Sequence, residues 1–186
     1  KDGSYSLTYT ISVKNYDAVQ ITKINLTDNL VGTFVAPANF TVETAPSMIS
    51  GTGLTLNESF NGITNTSLTA PNNSSLSVGD SASFKFTIRI KDVRINTTYL
   101  NSVLGSATGS SNVAVSDSSN NGYNTTPKLN VATPVSFAPS IVLGLSKEAS
   151  VAAAGSGAYD VTYTVTAHNL GNDTLRNVSI NDDLSL

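Results

Sequence analysis

Few residues in this chain could do chemistry. Of 186 residues, one is a histidine, His168, and none is a cysteine. Thiol nucleophiles and disulfides are therefore excluded, and a Ser-His-Asp relay has a single place to start. His168 closes a run of alternating apolar and polar residues, on the polar phase, and aligns with Lys14 in a second copy of that run. A strand-end position that accepts both His and Lys is a solvated one, and no catalytic role is expected for it. The GxSxG, Walker A and HExxH patterns do not occur. The carboxylates are scattered at strand ends, without the pairing that glycoside hydrolysis needs. The chain is read as a non-enzyme.

The best metal-ligating spacing is Asp117-Ser118-Ser119-Asn120-Asn121-Gly122. Side-chain oxygens at the first, third and fifth positions (Asp117, Ser119, Asn121) and a glycine at the sixth follow the pattern of a calcium loop, with Tyr123 placed to offer its carbonyl at the seventh. The twelfth position holds Lys128 where a bidentate Glu belongs, so a single formal charge would face Ca²⁺. The competing reading is an Asx-rich loop bonded to its own backbone. No other cofactor is expected. A weaker acidic cluster, Asp173 with Asn181-Asp182-Asp183, has Asp28 alone as its counterpart in the other copy, and reads as surface or interdomain polarity. Lys14 and Lys85 fall on outward phases, so no Lys–Asn crosslink is expected.

The elements that must position these residues are strands. Charged residues make up 12% of the chain and apolar ones 39%. Ser, Thr, Asn and Gly carry the polarity instead, a composition that suits strands and turns over helices. Net charge is −3 and no basic patch stands out, so nucleic acid and anionic membranes are poor partners. No apolar run is long enough to cross a bilayer.

The segment 5–30, YSLTYTISVKNYDAVQITKINLTDNL, returns without a gap at 159–184 as YDVTYTVTAHNLGNDTLRNVSINDDL, an offset of 154 residues (159 − 5). Seven of the 26 positions are identical, Tyr9/Tyr163, Asn15/Asn169 and Asp28/Asp182 among them. A repeat of this kind fixes architecture before any other signal. Tyr5 to Val13 alternates at period two, as does Phe84 to Ile90. The alternation breaks between Ile21 and Ile24, and again between Leu175 and Val178, which predicts a bulge in both copies. Further short strands are expected near 39–44, 53–56, 65–70, 99–107, 113–115, 131–137 and 141–148, with a flexible turn over 152–157. The count and spacing predict an all-β, immunoglobulin-like Greek-key β-sandwich in tandem repeat. Residues 1–139 are read as one repeat lacking its opening strand, and 140–186 as the first strands of the next. Either that opening strand lies upstream or another chain supplies it by strand donation.

The tracts 159–184, 54–90 (LTLNESFNGITNTSLTAPNNSSLSVGDSASFKFTIRI) and 101–137 resemble, in order and spacing, a repeat of bacterial and archaeal exported proteins. That family is catalogued as a domain of unknown function with an immunoglobulin-like fold. The blocks are most similar to the tandem repeats of large Bacteroidota surface adhesins, the SprB-type gliding adhesins included. The resemblance covers nearly the whole chain. It implies an extracellular, cell-surface, secreted protein in which the repeat is a stalk or spacer in a filament serving adhesion or gliding motility, with neighbouring repeats as its partners. It also implies glycosylation. Asp80-Ser81-Ala82 and Asp173-Thr174-Leu175 are similar to the Bacteroidota O-glycan acceptor, which makes Ser81 and Thr174 the candidate sites beside ten N-x-S/T sequons. The alternative is a calcium-dependent or lectin-like binding module. Trp is absent, and the strand tyrosines fall on inward phases.

Overall fold

The computed structural model describes residues 3–109 and 112–185. They form an all-β fold in two compact units: Ser4–Phe137, and the residues from Ala138 onward with Gly3. The division falls at Phe137/Ala138, beside Pro139.

In the first unit the strands are β1 (Tyr5–Lys14), β2 (Ile21–Asp28), β3 (Asn39–Ser50), β4 (Ser75–Leu76), β5 (Ser81–Lys91), β6 (Thr98–Asn101), β7 (Val103–Gly109), β8 (Ala114–Ser118) and β9 (Thr133–Ser136). One turn of helix, α1 (Leu30–Thr33), follows β2. Three antiparallel sheets result, ordered β1-β5-β3, β4-β2-β7-β8 and β6-β9. The inward side chains of the two larger sheets belong to one hydrophobic cluster, an arrangement consistent with a β-sandwich.

β5 is the centre of its sheet because its sequence suits two neighbours and a covered face. Phe84, Phe86, Ile88 and Ile90 are fully buried, each worth about 2 kcal/mol of burial. Its other face shows how a chain with little charge finishes a sheet. Thr8 and Thr87 share a hydroxyl hydrogen bond of 2.8 Å across the strands, as do Ser12 and Ser83. Glu43 accepts from the Ser6 hydroxyl at 2.7 Å and from Arg89 at 2.6 Å. The Ser6 contact first, then Arg89, holds the Glu43 carboxyl below the usual carboxylate range.

The break in β2 is a bulge: its register with β7 shifts between Thr22 and Asn25, and Lys23 sits at φ 53°. Asn177, its match in the later copy, sits at φ 55°. Other expected strands differ in extent. β3 runs on through Pro46 to Ser50, since an edge strand tolerates a missing N–H. The segments near 53–56 and 65–70 make isolated bridges only, Leu56 with Thr69 and Ser67 with Thr27. Asn57, Asn61 and Ser74 instead satisfy nearby backbone groups with their side chains, and the Thr69 hydroxyl bridges to β2, donating to the Ile24 carbonyl and accepting the Leu26 N–H. The expected strand 99–107 divides at Ser102, with β6 pairing β9 and β7 pairing β2. Gly51, at φ +79°, ends β3 where any Cβ would meet the Ser81 carbonyl.

The second unit is built on a hairpin, β10 (Leu143–Gly155) with β11 (Ala158–Asn169). The expected loose turn over 152–157 is mostly strand. The chain reverses at Ser156 and Gly157, both at positive φ, as a tight two-residue turn requires. Tyr159 and Tyr163, read as core from their phase, are 67% and 44% exposed. Phase sets the face a side chain takes; it does not supply a second layer to cover it.

Candidate functional site

Within the Ser4–Phe137 unit, a cavity of about 920 Å³ runs between β1 and the strands β2, β7 and β8, beside the loop that follows β8. Every residue from Thr8 to Asp17 lines it. Residues of both phases reach it because the cavity opens along the edge of β1 that β5 does not use. Among the described residues no strand pairs with that edge.

At the inner end lies a buried polar cluster. Asp28, the last residue of β2, is 0% exposed. Its Oδ2 accepts from Asn101 Nδ2 at 2.9 Å, while its Oδ1 is buried with no hydrogen-bond partner. Asn101 is 3% exposed, and its Oδ1 accepts from the Thr33 hydroxyl at 2.7 Å. The buried Tyr9 hydroxyl also has no partner. Burial pushes the Asp28 carboxyl up to about 6, against the Asn101 hydrogen bond, which lowers it. Burial first, then the Asp28 charge, pushes the Tyr9 phenol well above its ordinary range. Thr33, Asn101 and Asp28 thus form one hydrogen-bonded chain of hydroxyl, carboxamide and carboxyl, buried at its inner end.

No protein-family model, curated protein or solved structure matches this chain.

The sequence pointed elsewhere, to the loop after β8. There the Asp117 carboxylate accepts the Lys128 N–H at 3.0 Å, and Ser119 Oγ accepts the Val103 N–H at 2.9 Å. Asp117 closes the loop onto its own backbone, and Ser119 ties the loop's start to the first residue of β7. Asn121 and Tyr123 are exposed, Tyr123 at 85%. Asn120, a position outside the ligand pattern, donates to the carbonyls of Asn124 and Thr126, and its Oδ1 is buried without a partner. Among the described residues, no three His, Asp or Glu side chains gather into a group that could hold a metal ion. Asp117→Ala is expected to cost about 1 kcal/mol by freeing the Lys128 N–H, read as a lower urea midpoint.

Ser81, at the start of β5, and Thr174, in the turn after β11, are both exposed, and the Thr174 N–H donates to Asp173 Oδ1 at 2.7 Å. His168 is exposed at the end of β11. Asp28, read as a surface counterpart of Asp182, is instead the most buried carboxylate of its unit. The sequence does carry a signal for the cluster: Tyr9 and Asp28 are both identical in the later copy, as Tyr163 and Asp182.

Proposed function

We propose that this chain is a structural repeat, a stalk or spacer segment of a long bacterial cell-surface adhesin or filament of immunoglobulin-like modules. The observation that carries the reading is a turn that recurs 154 residues on. Asn15 Oδ1 accepts the Asp17 N–H and its Nδ2 donates to the Val19 carbonyl; Asn169 Oδ1 accepts the Gly171 N–H and its Nδ2 donates to the Asp173 carbonyl. The left-handed residues Lys23 and Asn177 stand at matching places beyond those turns. Two units that spend identical side chains on identical turns support a module copied in tandem, with contacts mostly between neighbours. Outer faces finished by hydroxyl pairs suit an exported, glycan-bearing surface, with Ser81 and Thr174 as acceptors.

The test is length. Chains carrying one, two and three copies of the repeat are expected to gain an equal increment of maximum dimension per copy in small-angle scattering. A dimension that fails to grow with copy number overturns the spacer reading. A saturable calcium-induced change at Asp117 to Tyr123 would favour the binding-module alternative.

A further inference from the structure

Three buried side-chain oxygens lack a hydrogen-bond partner among the described residues: Tyr9 Oη, Asp28 Oδ1 and Asn120 Oδ1. All three residues line the same cavity of about 920 Å³. A buried polar atom left without a partner is costly, and native structures hold few of them. Three around one cavity mark a place built for a polar guest. The Asp28 carboxylate and Asn120 carboxamide oxygens accept, and the Tyr9 hydroxyl can donate or accept. The guest therefore brings hydrogen-bond donors to separate points.

The open edge of β1 adds a row of backbone groups. One rung beyond the β1–β5 ladder, the Asn15 N–H donates to the Asp80 carbonyl at 2.9 Å, so odd-numbered residues turn their backbone groups to β5. Thr8, Thr10 and Ser12 turn theirs to the cavity side, where no described strand pairs with them. From Thr8 to Lys14 this row runs about 20 Å, at about 3.3 Å per residue.

Two tyrosines stand at the opening. Tyr16, in the turn after β1, and Tyr123, in the loop after β8, both line the cavity and are 53% and 85% exposed, which puts them at its mouth. The Tyr16 and Thr125 hydroxyls share a hydrogen bond of 2.6 Å, and Lys14 Nζ lies 4.9 Å from the Tyr16 ring centroid, so that ring is held in place. The negative face of a tyrosine ring suits the C–H face of a pyranose. The lining carries both signs of charge, Lys14 and Lys128 with Asp17, Asp28 and Asp117, and so selects no one sign.

We propose that this cavity is a saccharide-binding groove, taking a linear chain of neutral hexopyranoses joined by equatorial linkages. Such a chain is extended, as the row along β1 is. Each ring offers hydroxyl donors on its rim and C–H groups on its faces. Hydroxyls satisfy Asp28 Oδ1 and Tyr9 Oη at the inner end and Asn120 Oδ1 in the loop after β8. The β1 backbone groups bind the rings between, and the tyrosines cover those at the mouth. The inference goes beyond the spacer reading and does not rest on it, since a single copy suffices.

The isotope-labelled full chain is titrated with cellopentaose and with mannopentaose and followed by NMR. Saturable shifts of the Thr8, Thr10, Ser12, Tyr16 and Tyr123 amides are expected. Maltopentaose, whose axial linkages coil the chain, should bind at least tenfold more weakly. Tyr123→Ala should weaken binding at least tenfold, and the exposure of this side chain leaves the fold untouched. Asp28→Asn should do the same: with the remaining oxygen held by Asn101 Nδ2, a neutral donor takes the place of the charged acceptor Oδ1. Its melting midpoint at pH 7, expected to be no lower than that of the native chain, separates a lost contact from lost folding. Absence of a saturable shift with either pentasaccharide overturns the proposal, as does equal binding of maltopentaose or binding that both variants leave unchanged. Shifts of the β1 amides by an octapeptide of alternating threonine and valine, with none by the saccharides, would assign the edge to strand addition and overturn it too. None of these outcomes bears on how length scales with copy number.

Discussion

Asp28→Asn should stabilise the Ser4–Phe137 unit at neutral pH, a rare direction for a fully buried substitution. The Asp28 carboxyl is raised by burial from 3.8 to about 6. A raised acid binds its proton more tightly in the folded chain than in the unfolded one. Its favourable contribution is therefore complete below about pH 4 and is lost as pH rises through 6. Across that window the native protein should lose about 3 kcal/mol, the shift converted at 1.36 kcal/mol per unit. Asparagine removes the charge and keeps an acceptor for Asn101 Nδ2, but leaves a buried amide N–H without a partner, which returns about 1 kcal/mol. The net gain at pH 7 is about 2 kcal/mol. Urea unfolding at pH 4 and pH 7 checks it: the native stability should fall between the two and the variant's should not. A variant less stable than the native chain at pH 7 would mean that the Asp28 charge is already compensated.

The second large effect is a loss, at Asn15. This side chain is 1% exposed, and its Nδ2 lies within hydrogen-bond distance of the carbonyls of Val19, Leu76 and Ser77 while its Oδ1 holds the Asp17 N–H. It pins the β1 turn to the segment that leads from β4 into β5. Alanine would strand several buried backbone groups at once, costing roughly 3 kcal/mol. At Asn169 the same turn is exposed and makes two such bonds, so alanine there should cost about 1 kcal/mol. Calorimetric midpoints of the two variants test the ratio. Equal losses would show that the turn itself, rather than its burial in the larger unit, sets the energy.

How legible all this is in the sequence depends on distance along the chain. β5 can be read directly, because its alternation sits within eleven residues. So can the bulge at Lys23, since both copies break phase at the same place. Asp28 is different. A lone Asp before Asn29 at a strand end looks like a solvated stop, and what buries it includes Asn101, 73 residues later. Neither residue type nor local spacing announces such a contact. The candidate calcium loop stands out in the sequence but reads two ways, for the converse reason. Asp, Ser and Asn serve backbone capping as readily as ion binding, and at Asp117 and Ser119 the backbone N–H groups are the partners observed. The tyrosines of β11 show a third limit: alternation gives the face of Tyr159 and Tyr163, while exposure depends on which sheet, if any, lies opposite.

The two outer edges of the β1-β5-β3 sheet are built differently. β3 is interrupted three times in its register and carries Pro46, whereas β1 pairs ten residues without a shift. An interrupted, proline-bearing strand is a poor template, and a straight one is a good template. Strand addition to this sheet is accordingly one-sided. A strand added at β1 would leave only the interrupted margin of β3 at the sheet's edge, so the open-ended sheet growth that makes unpaired edges hazardous would have no second site from which to proceed.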